Sequence, residues 1–150
     1  SQKQNQEEKS VKKYKIGYTT GVFDMFHIGH LNILRRAKEQ CDYLIVGVST
    51  DELVESYKKK RPVIPFADRM EIVKAICYVD QVVQSCAEDS DAWDLWHYDK
   101  LFVGSDYKGT ERFNRYEAEL CPKGVQIIYF PYTQGTSSTQ LREALKKPRE

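Results

Sequence analysis

Two histidines three residues apart, His27 and His30, stand behind the turn Gly21-Val22-Phe23-Asp24, with Gly29 between them. The spacing places both imidazoles on one side of a first helical turn, where unpaired N–H groups and the positive end of the helix dipole favour an anion. Each ring can donate a hydrogen bond to a phosphate oxygen, and each gains charge easily near neutral pH. Gly29 leaves room for a ligand or another backbone to come close. A second chemistry is open to the same residues: Asp24, His27 and His30 form a 2-His-1-carboxylate set suited to a metal. The plain alternative is two packed histidines without a ligand.

Other stretches also suit phosphate. Tyr57-Lys58-Lys59-Lys60-Arg61 concentrates positive charge, and Gly135-Thr136-Ser137-Ser138-Thr139 brings three successive hydroxyls to a helix start, with Arg142 one turn later. One such hydroxyl is explained by capping; three fit a second phosphate cradle of hydroxyls and N–H groups. Gly104-Ser-Asp-Tyr-Lys-Gly109 superficially resembles a phosphate-binding P-loop, but Thr110 and Glu111 stand where Lys and Ser/Thr are required. That reading is excluded. Trp93, Trp96 and Tyr98 are spaced like a helix face and suit core or subunit packing, and the acids between Cys86 and Asp99 suit an exposed face.

To bring these groups together the chain needs a scaffold, and its patterning supplies one. Strands are expected over 14–20, 42–49, 79–83, 100–104 and 124–130, and helices from about 27–29 onward and over 66–77, 89–98, 111–120 and 137–146. The segment 50–61 reads as a polar loop. Strands alternating with helices define an α/β domain: a Rossmann-like parallel sheet of about five strands with helices on both faces. The loops that follow the strands share the carboxyl rim of such a sheet, where ligands bind.

Composition narrows the function class. The 150 residues carry 23 Lys+Arg against 22 Asp+Glu, a formal charge of +1, so a nucleic-acid coat protein is excluded. With 41% hydrophobic residues the chain can fold as one domain over 14–147, behind a polar arm or linker at 1–13. Its apolar runs are too short to span a bilayer, and the arm has no signal-peptide core, so no membrane partner is expected. Cys41, Cys77, Cys86 and Cys121 include no C-x-x-C pair, which points to reduced thiols in the cytoplasm.

H-x-G-H after a G-x-F-D turn resembles the nucleotidyltransferase superfamily. From about Lys15 to Leu145 the chain is similar to the CTP:glycerol-3-phosphate cytidylyltransferases. Further points of likeness are Arg35-Arg36-Ala37-Lys38, Val48-Ser49-Thr50-Asp51-Glu52, Arg69 within Phe66-Ala-Asp-Arg-Met70, and Gly104 to Gly109. The resemblance implies that His27 and His30 hold the triphosphate at the reacting α-phosphorus, with Lys58 and Lys60 as further catalytic groups. It implies nucleotide contacts from Gly21, Val22, Phe23, Asp24, Gly29, Gly104, Asp106, Tyr132, Thr133, Gly135, Ser137, Ser138 and Thr139. Acceptor contacts are implied for Asp51, Arg69 and Trp93.

The implied reaction moves CMP from CTP to glycerol 3-phosphate, giving CDP-glycerol and pyrophosphate for teichoic-acid-like or capsular polymers. Mg²⁺ is expected on the nucleotide, with no protein ligand, in a homodimer. Two departures leave the substrates open. Tyr132 replaces the usual motif arginine, and Ser137-Ser138-Thr139 with Leu141-Arg142 is closer to the adenylyltransferase form; Ser105 replaces a usual acid. ATP, or another sugar or polyol phosphate, therefore remains an alternative, as does a nucleotide-binding module without catalysis.

Overall fold

The computed structural model describes residues 14–131 and 138–146, with the side chains of 138–140 left aside. Five parallel strands, β1 (Ile16–Gly21), β2 (Tyr43–Val48), β3 (Gln81–Gln84), β4 (Lys100–Gly104) and β5 (Gln126–Phe130), stand in the order β3-β2-β1-β4-β5. Six helices connect or follow them: α1 (Ile28–Glu39), α2 (Asp51–Lys58), α3 (Phe66–Lys74), α4 (Asp89–Trp96), α5 (Glu111–Leu120) and α6 (Ser138–Lys146). The expected architecture is therefore the observed one.

An aspartate before each of three strands helps to pin the register. Asp42 accepts the Lys15 N–H at 2.7 Å, Asp80 accepts that of Leu44 at 2.8 Å, and Asp99 accepts that of Ile16 at 2.9 Å. Each carboxylate satisfies a donor on the neighbouring strand where the ladder begins. Two cores flank the sheet. Tyr18, Ile45 and Leu101 pack under α4 and α5 with Tyr98, Phe113 and Tyr116. Leu44, Val46, Val48 and Phe102 pack on the other face with Leu34 and Ala37 of α1 and Val73 of α3. Nearly continuous apolar strands follow from burial on both faces.

The stretch 50–61, expected as a loop, is mostly helix. Thr50 caps α2 by accepting the Leu53 N–H at 3.1 Å, Asp51 and Glu52 occupy its first turn, and Lys59 closes it in the left-handed region at φ 56°. Only Val54 is buried, so a single apolar contact face was hidden within the charge run. Helix α3 stops at Lys74, three residues short of the expected end, and β3 starts at Gln81, not Val79. Among the described residues no helix is long and apolar enough to cross a membrane.

Candidate active site

The turn after β1 is backbone-strained. Phe23 and Met25 hold φ of 54° and 48°, a region that side-chain-bearing residues rarely occupy. Asp24 between them keeps the turn in place. Its buried carboxylate accepts the N–H groups of Val63 and Ile64, each at 2.8 Å, and pairs with Arg142 of α6. Burial alone would raise this carboxyl, but those donors and the arginine outweigh it and hold it below the usual range. Asp24 lines the cleft described below, yet its oxygens are spent on the fold. It ties the β1 turn to the loop before α3 and to α6, which is the physical correction to a direct ligand role.

The histidines form a reciprocal cap. His27 is the N-cap of α1, and its Nδ1 accepts the Gly29 N–H at 3.0 Å; the Nδ1 of His30 accepts the His27 N–H at 3.3 Å. The rings stack with centroids 3.9 Å apart, and Phe23 meets His30 edge-on at 5.4 Å. An Nδ1 that accepts must carry its proton on Nε2 when the ring is neutral. Both side chains are half-buried, neither sealed under hydrocarbon nor fully in solvent. Burial lowers His27; His30 is lowered to about 4 by burial and the neighbouring His27, against the pull of Asp24.

The expectation of easily charged rings is thus corrected: the pair rests neutral at pH 7 as two Nε2–H donors. Because a lowered pKa keeps the proton off until the pH falls through the folded value, imidazole NMR should show His30 titrating near pH 4. A His30 midpoint at 6.5 would contradict this environment.

Lys58, at the end of α2, and Arg142 line the same cleft as His30. Burial and the charge of Arg142 lower the Lys58 ammonium, with Asp24 opposing. Lys60 is exposed and does not line the cleft, and Arg61 turns to Glu55 at 2.9 Å and Glu52 at 3.5 Å. Tyr57 and Lys58 of the run therefore line the cleft, and Lys59, Lys60 and Arg61 do not. Lys58→Ala is expected to lower kcat/KM by about 10–100-fold through loss of a charged phosphate contact, whereas Lys60→Ala stays within about twofold. Steady-state kinetics on both variants checks the distinction.

Arg69, expected at the acceptor, is wholly buried at 0% exposure. Its Nε donates to the Ile64 carbonyl at 2.8 Å, Nη1 donates to the carbonyls of Val22 and Ser49 at 2.7 Å each, and Nη2 donates to Asp51 at 2.7 Å. Burial pushes Asp51 up, but the bonds from Arg69 and the Phe66 N–H prevail and hold it low. Arg69 and Asp51 thus clamp the ends of β1 and β2 to α3; Arg69 is buried, Asp51 is half-buried, and neither lines the cleft. Trp93 packs in the α4–α5 core with Lys123 Nζ 4.4 Å above its ring, away from the cleft. Asp106 is exposed and also off the cleft, while Gly21, Val22, Phe23 and Gly104 line it and Gly29 lies buried in the first turn of α1. Tyr132, Thr133, Gly135 and Ser137 lie outside the described residues. Ser138 and Thr139 open α6.

The cleft spans the carboxyl ends of the strands with a volume of about 1110 Å³, above the ~300–1,000 Å³ usual for one small ligand. One end holds His30, Lys58 and Arg142. The other is bounded by Ser85, Glu88, Asp89, Tyr107 and Arg112. The acids of this second end were expected on an exposed face; their place directly after β3, on the carboxyl rim, was the sequence signal for them. Among the described residues no three of His, Cys, Asp and Glu converge as a metal site. Asp24 and the two Nδ1 atoms are engaged with backbone donors, which disfavours the metal triad.

A parallel sheet with a phosphate-ready helix start on its carboxyl rim, cationic groups beside it and space for two ligands defines a nucleotide-handling α/β protein. Residues 18–144 match the family model for "Cytidylyltransferase-like" proteins, and the chain belongs to that family of nucleotidyltransferases. It is 36% identical over 127 residues to a glycerol-3-phosphate cytidylyltransferase of Bacillus spizizenii, covering 83% of this chain and 92% of that protein. A shorter stretch of 62 residues is 48% identical to an FAD synthase of Thermococcus kodakarensis, covering 41% and 42% of the two chains. The fold also matches the lipopolysaccharide core biosynthesis protein from Thermoplasma volcanium, with TM-score 0.66 and 22% identity over 81% of this chain and 98% of that one.

Proposed function

We propose that the chain transfers CMP from CTP to glycerol 3-phosphate, releasing pyrophosphate and CDP-glycerol, a precursor for teichoic-acid-like or capsular polymers. The observation that carries this reading is the His27–His30 cap: both Nδ1 atoms are occupied by backbone N–H groups, so both Nε2–H groups are left for an anion. The similarity to a glycerol-3-phosphate cytidylyltransferase over most of both chains supplies the substrates.

An oxygen of the acceptor phosphate attacks the α-phosphorus of CTP. A new O–P bond forms as the bond to the bridging oxygen breaks, and pyrophosphate leaves with that electron pair. The acceptor is already an anion at neutral pH, so no general base is required. Catalysis consists of holding two anions in line and stabilising the charge that develops. The two Nε2–H donors and the α1 terminus hold the phosphates, while Lys58 and Arg142 supply positive charge. Arg142 is held by Asp24, and it offers a cation where the motif arginine is replaced by Tyr132. Mg²⁺ belongs to this proposal as the nucleotide's own counterion, held by phosphate oxygens and screening their charge.

A cytoplasmic location and a homodimer complete the reading. Four unpaired cysteines support the first; size-exclusion chromatography with light scattering tests the second.

A second reading keeps the chemistry and changes the nucleotide to ATP. The Ser-Ser-Thr…Leu-Arg form at 137–142 and the likeness to an FAD synthase favour it. Pyrophosphate release from four NTPs crossed with several phosphorylated polyols decides between them. CTP with glycerol 3-phosphate is expected to give the highest kcat/KM; a clear preference for ATP, or for another acceptor, replaces the first reading.

A further inference from the structure

The cleft extends past Thr20 to Ser85 and Asp89, under the face that α4 and α5 cover. Asp89 is the first residue of α4, and its backbone is fixed by two core tyrosines. Its N–H donates to the Tyr116 hydroxyl at 3.2 Å, and its carbonyl accepts from the Tyr98 hydroxyl at 2.7 Å. The adjacent carboxylate, Glu88, is consumed by Tyr116 at 2.6 Å and Arg115 at 2.8 Å. Asp89 has no such compensation: among the described residues its carboxylate accepts one long hydrogen bond, from Thr20 Oγ1 at 3.4 Å. Burial raises it to about 6, with Arg112 and Thr20 opposing. A poorly satisfied carboxylate on a cleft wall costs stability, and a ligand hydroxyl would remove that cost.

The Tyr18 hydroxyl is buried without a hydrogen-bond partner among the described residues. Gly47 packs closely against it: a Cβ there would lie 2.7 Å from the Tyr18 oxygen, 3.0 Å from Thr20 Cγ2 and 3.1 Å from the Ser85 Cβ.

Taking the transfer to a polyol phosphate as given, we infer that Asp89, beside Thr20, selects the hydroxyl-bearing end of the acceptor. Its carboxylate accepts from the acceptor's hydroxyls, leaving the acceptor's phosphate for His30 and Lys58, which line the same cleft. An acid in a first helical turn also favours the helix dipole. That role alone predicts lost stability and no change in acceptor preference, so the two are separable.

The test compares glycerol 3-phosphate with 3-hydroxypropyl phosphate, which lacks the secondary hydroxyl, at saturating CTP with pyrophosphate release as readout. The wild-type chain is expected to prefer glycerol 3-phosphate by about 10–100-fold in kcat/KM. Asp89→Asn is expected to lose most of that preference while the KM for CTP stays within about twofold. Asp89→Ser is read in the same way and serves if the asparagine variant does not fold. A preference preserved in the variant, equal losses for both acceptors, or a wild-type chain indifferent to the hydroxyl overturns the inference while leaving the transfer reading intact. A wild-type chain that releases no pyrophosphate with any polyol phosphate overturns both.

Discussion

His30→Ala is expected to lower kcat by about 10²–10³ while the protein stays folded, the range set by loss of one preorganised oxyanion donor. The argument is geometric. The His30 Nδ1 accepts the His27 N–H at 3.3 Å, which fixes the proton on Nε2 and aims a donor from a ring that lines the cleft. Alanine removes that donor and one bond of the α1 cap, worth ~1 kcal/mol, or a few degrees in Tm for a domain of this size. His27→Asn separates the two roles of the other ring. Asparagine is a good N-cap, so the cap bond to Gly29 survives, but the Nε2 donor is gone. Stability near that of the wild-type chain with a comparable fall in kcat is the expected result. Turnover within threefold of wild type for both variants removes these residues from the reaction.

The second large effect is on stability. Arg69→Met is expected to destabilise the fold by about 3–5 kcal/mol, because it leaves Asp51 and three backbone carbonyls without their buried partner. At 2–4 °C per kcal/mol this lowers Tm by about 6–20 °C, measured by calorimetry. Arg69→Lys should recover only part of it, since a point ammonium cannot reach carbonyls on three segments as a planar fork does. Activity per folded molecule measured well below Tm should be less affected than for His30→Ala. A variant with unchanged Tm and a selectively raised acceptor KM would return Arg69 to the acceptor site, against its observed burial.

The strand–helix alternation was legible because β2 and β4 are short and mostly apolar, β1 is rich in β-branched and aromatic residues, and α5 carries one clean stripe. Helix α2 was not: its tail of three lysines obscured a helix held by one buried valine and a threonine cap. At the site, the H-x-G-H spacing announced a shared helical turn, which is a local property. The protonation of the rings was not legible, since it depends on which backbone N–H each Nδ1 accepts and on burial by Phe23. Arg69 shows the same limit from the other side. An arginine in a helix near the carboxyl rim looks like an anion ligand until folding places Ile64, Val22, Ser49 and Asp51 around it. Asp89 was hidden among acids; only the β3–α4 connection, Tyr98 after α4 and Tyr116 of α5 fix its place beside the cleft.

Attack at the α-phosphorus is the central claim, and isotopic labelling of CTP tests it most directly. With glycerol 3-phosphate present, a label at the α-phosphorus should pass into a product that migrates as CDP-glycerol, and a label at the γ-phosphorus should leave wholly in pyrophosphate. A γ-label in the glycerol product, or an α-label ending in free CMP with no glycerol adduct, would contradict the account.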